Sequence, residues 1–224
     1  DETATWLSKG IGIAANQGGG HFDERESEHI DFIRDTLLNY TYTEISQRYD
    51  GVDSYKISAL PYIASGGLAD VAGSLPAAMN KAGHDCRVVM PLYKNIKWEL
   101  REKLTFVTNF TVDVAWRKQY CGIMKGEVSG VTYYLIDNEY YFGRDGLYGF
   151  YDDAERFVFF SRAILEMLKY IDFKPQVINC NDWQTAMVPV YYSTIYRYQM
   201  GYEDIKTVFT IHNIQYQGKY GLEL

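Results

Sequence analysis

The sequence predicts an α/β fold in which a parallel sheet is covered by helices on both faces. Short apolar runs recur along the chain, and longer segments with helical periodicity separate them. Strands of a sheet buried on both faces are short and almost continuously apolar, and helices usually connect parallel strands. A third observation, a stretch of alternating apolar and polar residues, predicts a β-hairpin inserted into this fold.

The predicted strands and helices alternate along residues 54–224. The predicted strands are 55–60, 86–90, 131–136, 177–180 and 207–211. The predicted helices are 68–82, 153–170 and 185–200. Residues 105–128 alternate with a period of two, in Phe106, Thr108, Phe110 and Val112, and predict the inserted antiparallel hairpin.

Residues 1–53 differ in character and are predicted to form a flexible and helical extension. Residues 10–15 (GIGIAA) match the letters of a dinucleotide-binding glycine motif, but no convincing strand precedes them. A flexible loop is therefore the preferred interpretation of this stretch. Apolar residues on one face predict a helix from Ser27, and Thr43 is a plausible N-cap for a second helix through Tyr49.

The net charge and the cysteine content argue against several classes of function. The formal net charge is −7, which argues against a nucleic-acid partner and against a basic membrane anchor. No apolar run approaches the length of a membrane span, and no signal peptide is recognised. The three cysteines, Cys86, Cys121 and Cys180, are an odd number without metal-ligand spacing. We therefore expect a reduced cytoplasmic chain that holds no metal.

A double-glycine turn, Ser65-Gly66-Gly67, separates the first predicted strand from the first predicted helix. Adjacent glycines allow positive φ and let a ligand approach the backbone closely. The free amides at the start of the helix attract anions, so the turn is a candidate phosphate site. Asp70, in the first turn of this helix, either compensates the helix dipole or contacts a ligand.

Two further polar segments directly follow predicted strands. Asp182 and Trp183 come after one strand, and His212 and Asn213 come after another. Ligands of doubly wound sheets bind beyond the carboxyl ends of the strands, so these segments and the glycine turn should meet at one edge. Each has a structural alternative: Asp182 can cap a helix, Trp183 can be packing, and His212 can be a core histidine. At a sugar site, Trp183 would supply an apolar platform.

Five segments, in the same order, resemble the bacterial glycogen synthases and plant starch synthases. They are residues 64–76 (ASGGLADVAGSLP), 82–91 (AGHDCRVVMP), 137–144 (DNEYYFGR), 181–183 (NDW) and 208–218 (VFTIHNIQYQG). The resemblance begins near Ser54. It implies the Rossmann-like N-terminal half of a glycosyltransferase of GT-B architecture, with residues 1–53 as an extension and 54–224 as the domain. Members transfer glucose from ADP-glucose to an α-1,4-glucan, which implies these partners and no cofactor beyond the donor substrate.

The resemblance also assigns roles to residues. Ser65, Gly66 and Gly67 would contact the donor phosphates or the glucosyl group, and Asp70 would lie near the bound nucleotide sugar or acceptor. Asp182 would be a catalytic residue, and Trp183, His212 and Asn213 would line the sugar site. Two positions depart from the family: Ala64 replaces a lysine, and Gln184 replaces a histidine at the catalytic position. Glutamine donates and accepts hydrogen bonds but carries no proton near neutral pH.

Three hypotheses follow from this sequence. In the first, the chain is part of a glucan-elongating enzyme and is inactive alone, because the C-terminal domain of the family is absent. In the second, it is a degenerate member that binds glucan or a protein without catalysis, as the changes at Ala64 and Gln184 suggest. In the third, it belongs to a different nucleotide-sugar transferase with the same architecture.

Overall fold

The computed structural model describes residues 9–14, 35, 44–49 and 67–221. The chain divides into two compact units, residues 1–57 and 58–224. The predicted strand at 55–60 lies outside the described residues. In these ranges, no helix has both the length and the apolar character needed to cross a membrane.

The first unit contains two paired strands. Strand β1 (Lys9–Ala14) runs parallel to β2 (Glu44–Tyr49), with Lys9 opposite Glu44. The loop predicted at 10–15 and the helix predicted at 43–49 are therefore wrong. Isoleucines that alternate with small residues suit an extended strand, and pairing with a neighbouring strand outweighs a weak helical preference over so few residues. Of the helix predicted from Ser27, the structure describes Asp35, which is helical.

The second unit begins with helix α1 (Gly67–Lys81), followed by strand β3 (Val88–Pro91) and a short helix α2 (Trp98–Arg101). Three strands follow in sequence: β4 (Thr105–Val114), β5 (Arg117–Val128) and β6 (Val131–Asp137). After them come the short helix α3 (Glu139–Phe142) and the long helix α4 (Asp153–Met167).

The last part of the chain carries β7 (Val177–Asn181), a 3₁₀ turn (Trp183–Thr185), helix α5 (Met187–Tyr191), a π-helical turn (Tyr192–Tyr196) and β8 (Lys206–Thr210). The single helix predicted at 185–200 is therefore broken into three pieces. Pro189, the third residue of α5, has no backbone N–H to donate to the carbonyl oxygen of Thr185, so this α-helical hydrogen bond cannot join the 3₁₀ turn to α5.

The described strands of the second unit form two sheets. The first has the order β3-β6-β5-β4; β3 and β6 are parallel, and the other two pairs are antiparallel. The predicted hairpin is confirmed as β4 and β5, which extend this sheet beyond β6. The second sheet is the parallel pair β7 and β8. Both parallel pairs join strands whose apolar runs predict a parallel sheet.

The core of the second unit lies between β6 and helix α4. Ile136 on β6 and Phe159 and Leu165 on α4 are fully buried. Burial of each such side chain contributes about 1.5–3 kcal/mol to stability. Helix α4 also contacts α5 and β4, so it is the element around which the unit is packed.

Tyrosine hydroxyls fasten the π-helical turn to this core. Tyr192 Oη lies 2.8 Å from the carbonyl oxygen of Tyr202 and 2.6 Å from that of Ile205, and its single proton can be donated to either one. Tyr202 Oη donates to the carbonyl oxygen of Leu165 at 2.7 Å. The tyrosines therefore connect α4, the π-helical turn and the residues that lead into β8.

Candidate functional site

The carboxyl ends of β7 and β8 lie side by side. Asn181, the last residue of β7, is opposite Thr210, the last residue of β8. The backbone N–H of Asp182 donates to the carbonyl oxygen of Thr210 at 2.8 Å, which carries the pairing one residue further. The residues that follow the two strands therefore start from one edge of the sheet, as the sequence predicts for these two segments.

Asp182 has an unusual backbone conformation for a residue with a Cβ. Its φ is 56° and its ψ is −179°, a region that is populated almost only by glycine and costs about 1–3 kcal/mol for other residues. Its carboxylate makes no capping hydrogen bond to the 3₁₀ turn that follows. Instead, its Oδ1 accepts from the backbone N–H of His212 at 2.7 Å. The carboxylate therefore connects the two segments.

His212 is a half-buried histidine whose ring contacts the side-chain amide of Asn181. Its Nε2 lies 2.9 Å from Asn181 Oδ1. Burial lowers the pKa of His212, and the negative charge of Asp182 opposes that change without reversing it. The imidazole is therefore neutral at neutral pH. Asn213 plays a local part, since its Oδ1 accepts from the backbone N–H of Gln215 at 2.9 Å.

Trp183 forms an aromatic cluster with residues from two other parts of the chain. Its ring packs edge-to-face on Phe157 of α4, at a centroid distance of 5.0 Å, and lies 5.7 Å from the ring of Tyr220. Gly218 approaches the indole so closely that a Cβ there would lie 2.4 Å from Cε3 of Trp183. Both structural packing and a sugar platform remain compatible with Trp183, because the side chain is partly exposed.

Gln184 carries an unusual polar atom at this edge. Its Oε1 is buried and has no hydrogen-bond partner among the described residues. An unpaired buried acceptor costs about 1–3 kcal/mol. This unpaired acceptor stands one residue after Trp183 in the sequence.

A buried ion pair near the aromatic cluster was not predicted from the sequence. Arg156 is fully buried in α4 and its Nη1 donates to Asp153 Oδ1, while Asp153 Oδ2 accepts from the backbone N–H of Gly149 at 2.6 Å. Arg156 Nε donates to the carbonyl oxygen of Tyr141 at 2.8 Å. Burial raises the pKa of Tyr220, and the charges of Asp153 and Arg156 also act on it. The pair therefore fixes the loop before α4 close to the Trp183 cluster.

A signal for this pair was present. Helix α4 carries three phenylalanines, which are buried: Phe157, Phe159 and Phe160. A helix covered over so much of its surface leaves little room for every charged side chain to reach solvent. A charged side chain on such a helix must be paired when it is buried. The spacing of three residues between Asp153 and Arg156 suits a pair on one helix face.

The glycine turn is only partly described. Ala64, Ser65 and Gly66 lie outside the described residues. Gly67 is the first residue of α1, and Asp70 lies in the first turn, where the sequence places it. Their meeting with Trp183 and His212 remains a prediction. Over the described ranges, no three His, Cys, Asp or Glu residues cluster in a way that would hold a metal ion.

Known proteins are similar to this chain in sequence and in fold. A family model described as the starch synthase catalytic domain matches residues 57–224. The glycogen synthase of Clostridium botulinum (strain Eklund 17B / Type B) is 59% identical over 161 residues, which are 71% of this chain and 34% of that protein. The glycogen synthase of Clostridium beijerinckii is 56% identical over 161 residues, with the same coverage.

A solved structure is also similar. It is the catalytic domain of starch synthase IV from Arabidopsis thaliana bound to ADP and acarbose, with a TM-score of 0.66 and 33% sequence identity. The similarity covers 71% of this chain and 33% of that one. The chain thus spans about a third of the length of the relatives that it matches. The predicted α/β, Rossmann-like fold is confirmed.

Proposed function

Because the chain belongs to the family of starch synthase catalytic domains, we propose that it forms the N-terminal part of a glucosyltransferase. The whole protein would transfer glucose from ADP-glucose to the non-reducing end of an α-1,4-glucan. Relatives at 56–59% identity are named glycogen synthase. The Arabidopsis relative was solved with ADP and acarbose, a nucleotide and an oligosaccharide. The activity belongs to the whole protein, since this chain spans about a third of its relatives.

The observation that carries the proposal is the edge formed by Asp182, Trp183 and His212. It combines a partly exposed indole with hydrogen-bonding groups whose positions are fixed by one another. Sugars present apolar C–H faces and polar hydroxyls, and sites with an aromatic face and a few fixed polar groups recognise both. The resemblance to the family, which assigns these residues to the sugar site, supports this interpretation.

Each residue would have a definite part in substrate binding. The free amides at the start of α1 would face the diphosphate of the donor, which suits the positive end of a helix dipole. Gln184 Oε1 would accept a hydrogen bond from a hydroxyl of the glucosyl unit, in place of the family's histidine. Transfer requires donor and acceptor to be held together with water excluded, which the rest of the protein would complete.

We propose no resident cofactor, because ADP-glucose is consumed as a substrate. The partners are ADP-glucose and α-1,4-glucan. The three cysteines are free, which supports a reducing compartment, the cytoplasm, as the place of action.

A degenerate, non-catalytic member is the second candidate, and two specific departures favour it. Ala64 removes the lysine charge near the diphosphate, and Gln184 removes a group that can carry a proton. Loss of a cation beside developing charge typically costs a few kcal/mol of transition-state stabilisation. In this case the protein would bind glucan, or a protein partner, through the same edge.

One assay separates the two candidates. Incorporation of labelled glucose from ADP-glucose into glycogen is measured for the full-length wild type and for its Ala64→Lys/Gln184→His variant. We expect the wild type to incorporate glucose at a rate within about tenfold of the reversed variant. A wild type that is inactive while the reversed variant is active would establish the degenerate candidate. UDP-glucose in place of ADP-glucose tests the nucleotide.

A further inference from the structure

The amide of Asn181 has a fixed orientation at the end of β7. Its Nδ2 donates to the carbonyl oxygen of Asn179 at 3.3 Å. A flipped amide would place two acceptor oxygens against each other, so the orientation with Nδ2 toward Asn179 is the favourable one. Asn181 Oδ1 therefore faces the imidazole of His212, 2.9 Å from Nε2.

This orientation determines the tautomer of His212. An amide oxygen only accepts hydrogen bonds, so Nε2 of the imidazole must carry the proton that is shared with Asn181. A neutral imidazole has one protonated nitrogen, which leaves a lone pair on Nδ1. The backbone of His212 is also held, since its N–H donates to Asp182 Oδ1 at 2.7 Å. Both the backbone and the ring are thus restrained.

The electrostatic surroundings agree with a neutral ring. In the described part of the chain, Asp182 is the charged group that acts on His212, and it lies on the turn after β7. The facing residues of β7 and β8, Asn179, Asn181 and Thr210, are uncharged. Burial disfavours the imidazolium and lowers the pKa of His212.

We propose that Asn181 is a positioning residue that keeps the proton of His212 on Nε2, so that Nδ1 accepts a hydrogen bond from a glucosyl hydroxyl of the donor. The choice of a glucosyl hydroxyl as the ligand rests on the proposed function, whereas the tautomer of His212 follows from the hydrogen bonds of Asn181 alone. A hydroxyl needs an acceptor when it leaves water, and a neutral imidazole nitrogen supplies one without a charge. An aspartate at 181 would instead favour the doubly protonated ring and remove that acceptor.

The tautomer is measured directly in the full-length protein. Histidine rings are labelled with ¹⁵N, and the resonance of His212 is identified by its loss in a His212→Gln variant; this chain has four histidines. We expect the wild-type ring to be neutral at pH 7 with its proton on Nε2. In Asn181→Asp, the titration midpoint of His212 moves to higher pH. In Asn181→Ala, the ring shows a mixture of the two neutral tautomers.

Ligand contact is measured by calorimetric titration with ADP-glucose, which requires no turnover. We expect Asn181→Asp to weaken binding about tenfold at pH 7 and to recover part of that loss at higher pH, where the ring loses its second proton. Asn179→Ala is the matched control. The side chain of Asn179 contacts Thr210, and its backbone carbonyl, which holds Asn181, is kept. This control should retain both the Nε2–H tautomer and wild-type affinity.

The outcomes separate this inference from the proposed function. A wild-type ring with its proton on Nδ1, or on both nitrogens at pH 7, overturns the inference whatever the protein catalyses. The expected tautomer together with equal ADP-glucose affinity in wild type and Asn181→Asp also overturns it, as does a wild type that binds no ADP-glucose. If the affinity for ADP-glucose falls in Asn181→Asp but the wild type transfers no glucose, the inference is supported and the proposed enzymatic activity is refuted.

Discussion

Gly218 lies against the indole of Trp183 so closely that no larger residue fits: a Cβ at 218 would be 2.4 Å from Cε3 and 2.6 Å from Cδ2 of the ring. The backbone of Gly218 also has a φ of +58°, which residues with a Cβ rarely adopt. The two requirements act together at one position. The segment after β8 is thus fitted to the ring at the candidate site.

Gly218→Ala should displace Trp183. We expect a loss of about 1–3 kcal/mol in the free energy of unfolding from the clash, in addition to the cost of positive φ. Gly201→Ala is the matched control, since Gly201 has a φ of +93° and no atom lies within 4 Å of the position that a Cβ would take. Urea unfolding and tryptophan fluorescence check the difference. Equal losses in the two variants would show that the ring does not restrict position 218.

Gln184→Met should separate stability from activity. The substitution removes a buried acceptor without a partner among the described residues, so we expect the free energy of unfolding to stay equal or rise by about 1 kcal/mol. Glucose incorporation by the full-length protein should fall at least about tenfold, because the ligand loses its acceptor. Gln199→Met, outside the site, is the control that should leave both unchanged. Retained incorporation in Gln184→Met would exclude a role for this oxygen.

Arg156→Met should be strongly destabilising. It leaves the carboxylate of Asp153 buried without its cation, and breaking such a pair typically costs about 3–5 kcal/mol. Arg197→Met removes an exposed arginine and should change the free energy of unfolding by less than about 0.5 kcal/mol. Chemical denaturation of both variants measures the contrast. A small effect at Arg156 would mean that the loop before α4 relaxes to admit water.

His212 should make the protein less stable as the pH falls. Burial lowers the pKa of His212 below its ordinary value of 6.5, so the unfolded chain takes up the proton first. The contribution is fully present above that ordinary value and decreases as the pH falls below it. Asp85 and Asp152 have lowered pKa values and titrate in a more acid range, which keeps them out of this window. Between about pH 7.5 and about pH 5.5, wild type should lose more stability than His212→Gln. Parallel curves for the two proteins would contradict the prediction.

The cysteines should differ in their reaction with iodoacetamide. Cys121 and Cys180 are buried, and burial raises the pKa of each thiol to about 12, so the reactive thiolate is scarce. Cys86 is partly exposed, and burial and Asp85 raise its pKa as well. We expect slow labelling at Cys86 and none at the other two until denaturant is added, as measured by peptide mass spectrometry. Labelling of Cys180 in the native protein would show that β7 opens.

Much of the fold was predictable because its signals are local. The hairpin of β4 and β5 follows from the alternation of apolar and polar residues along β4, and α4 follows from apolar residues at helical spacing. The pairing of β1 with β2 was not predictable, since it depends on contacts between distant segments. The division between the 3₁₀ turn and α5 was missed although Pro189 cannot donate a hydrogen bond across it, because a run of apolar residues around the proline is also typical of one continuous helix.

The candidate site was predictable at the level of position rather than detail. Asp182 and His212 are expected at the ends of neighbouring strands, and the structure places them there. The positive φ of Asp182 and the amide orientation of Asn181 could not be inferred from the sequence, because each depends on partners across the sheet. Arg156 was missed because an arginine in the first turn of a helix is usually exposed.

The hydroxyls of Tyr192 and Tyr202 link three elements that are far apart in the sequence. Fraying at the entry to β8 is therefore disfavoured while α4 stays folded, because release would leave buried hydroxyl donors without their acceptors. Opening of this end requires a sub-global transition that includes the core helix. The amino end of β8 thus shares the cooperativity of the interior, whereas the candidate ligand residues lie beyond the opposite, carboxyl end of this strand.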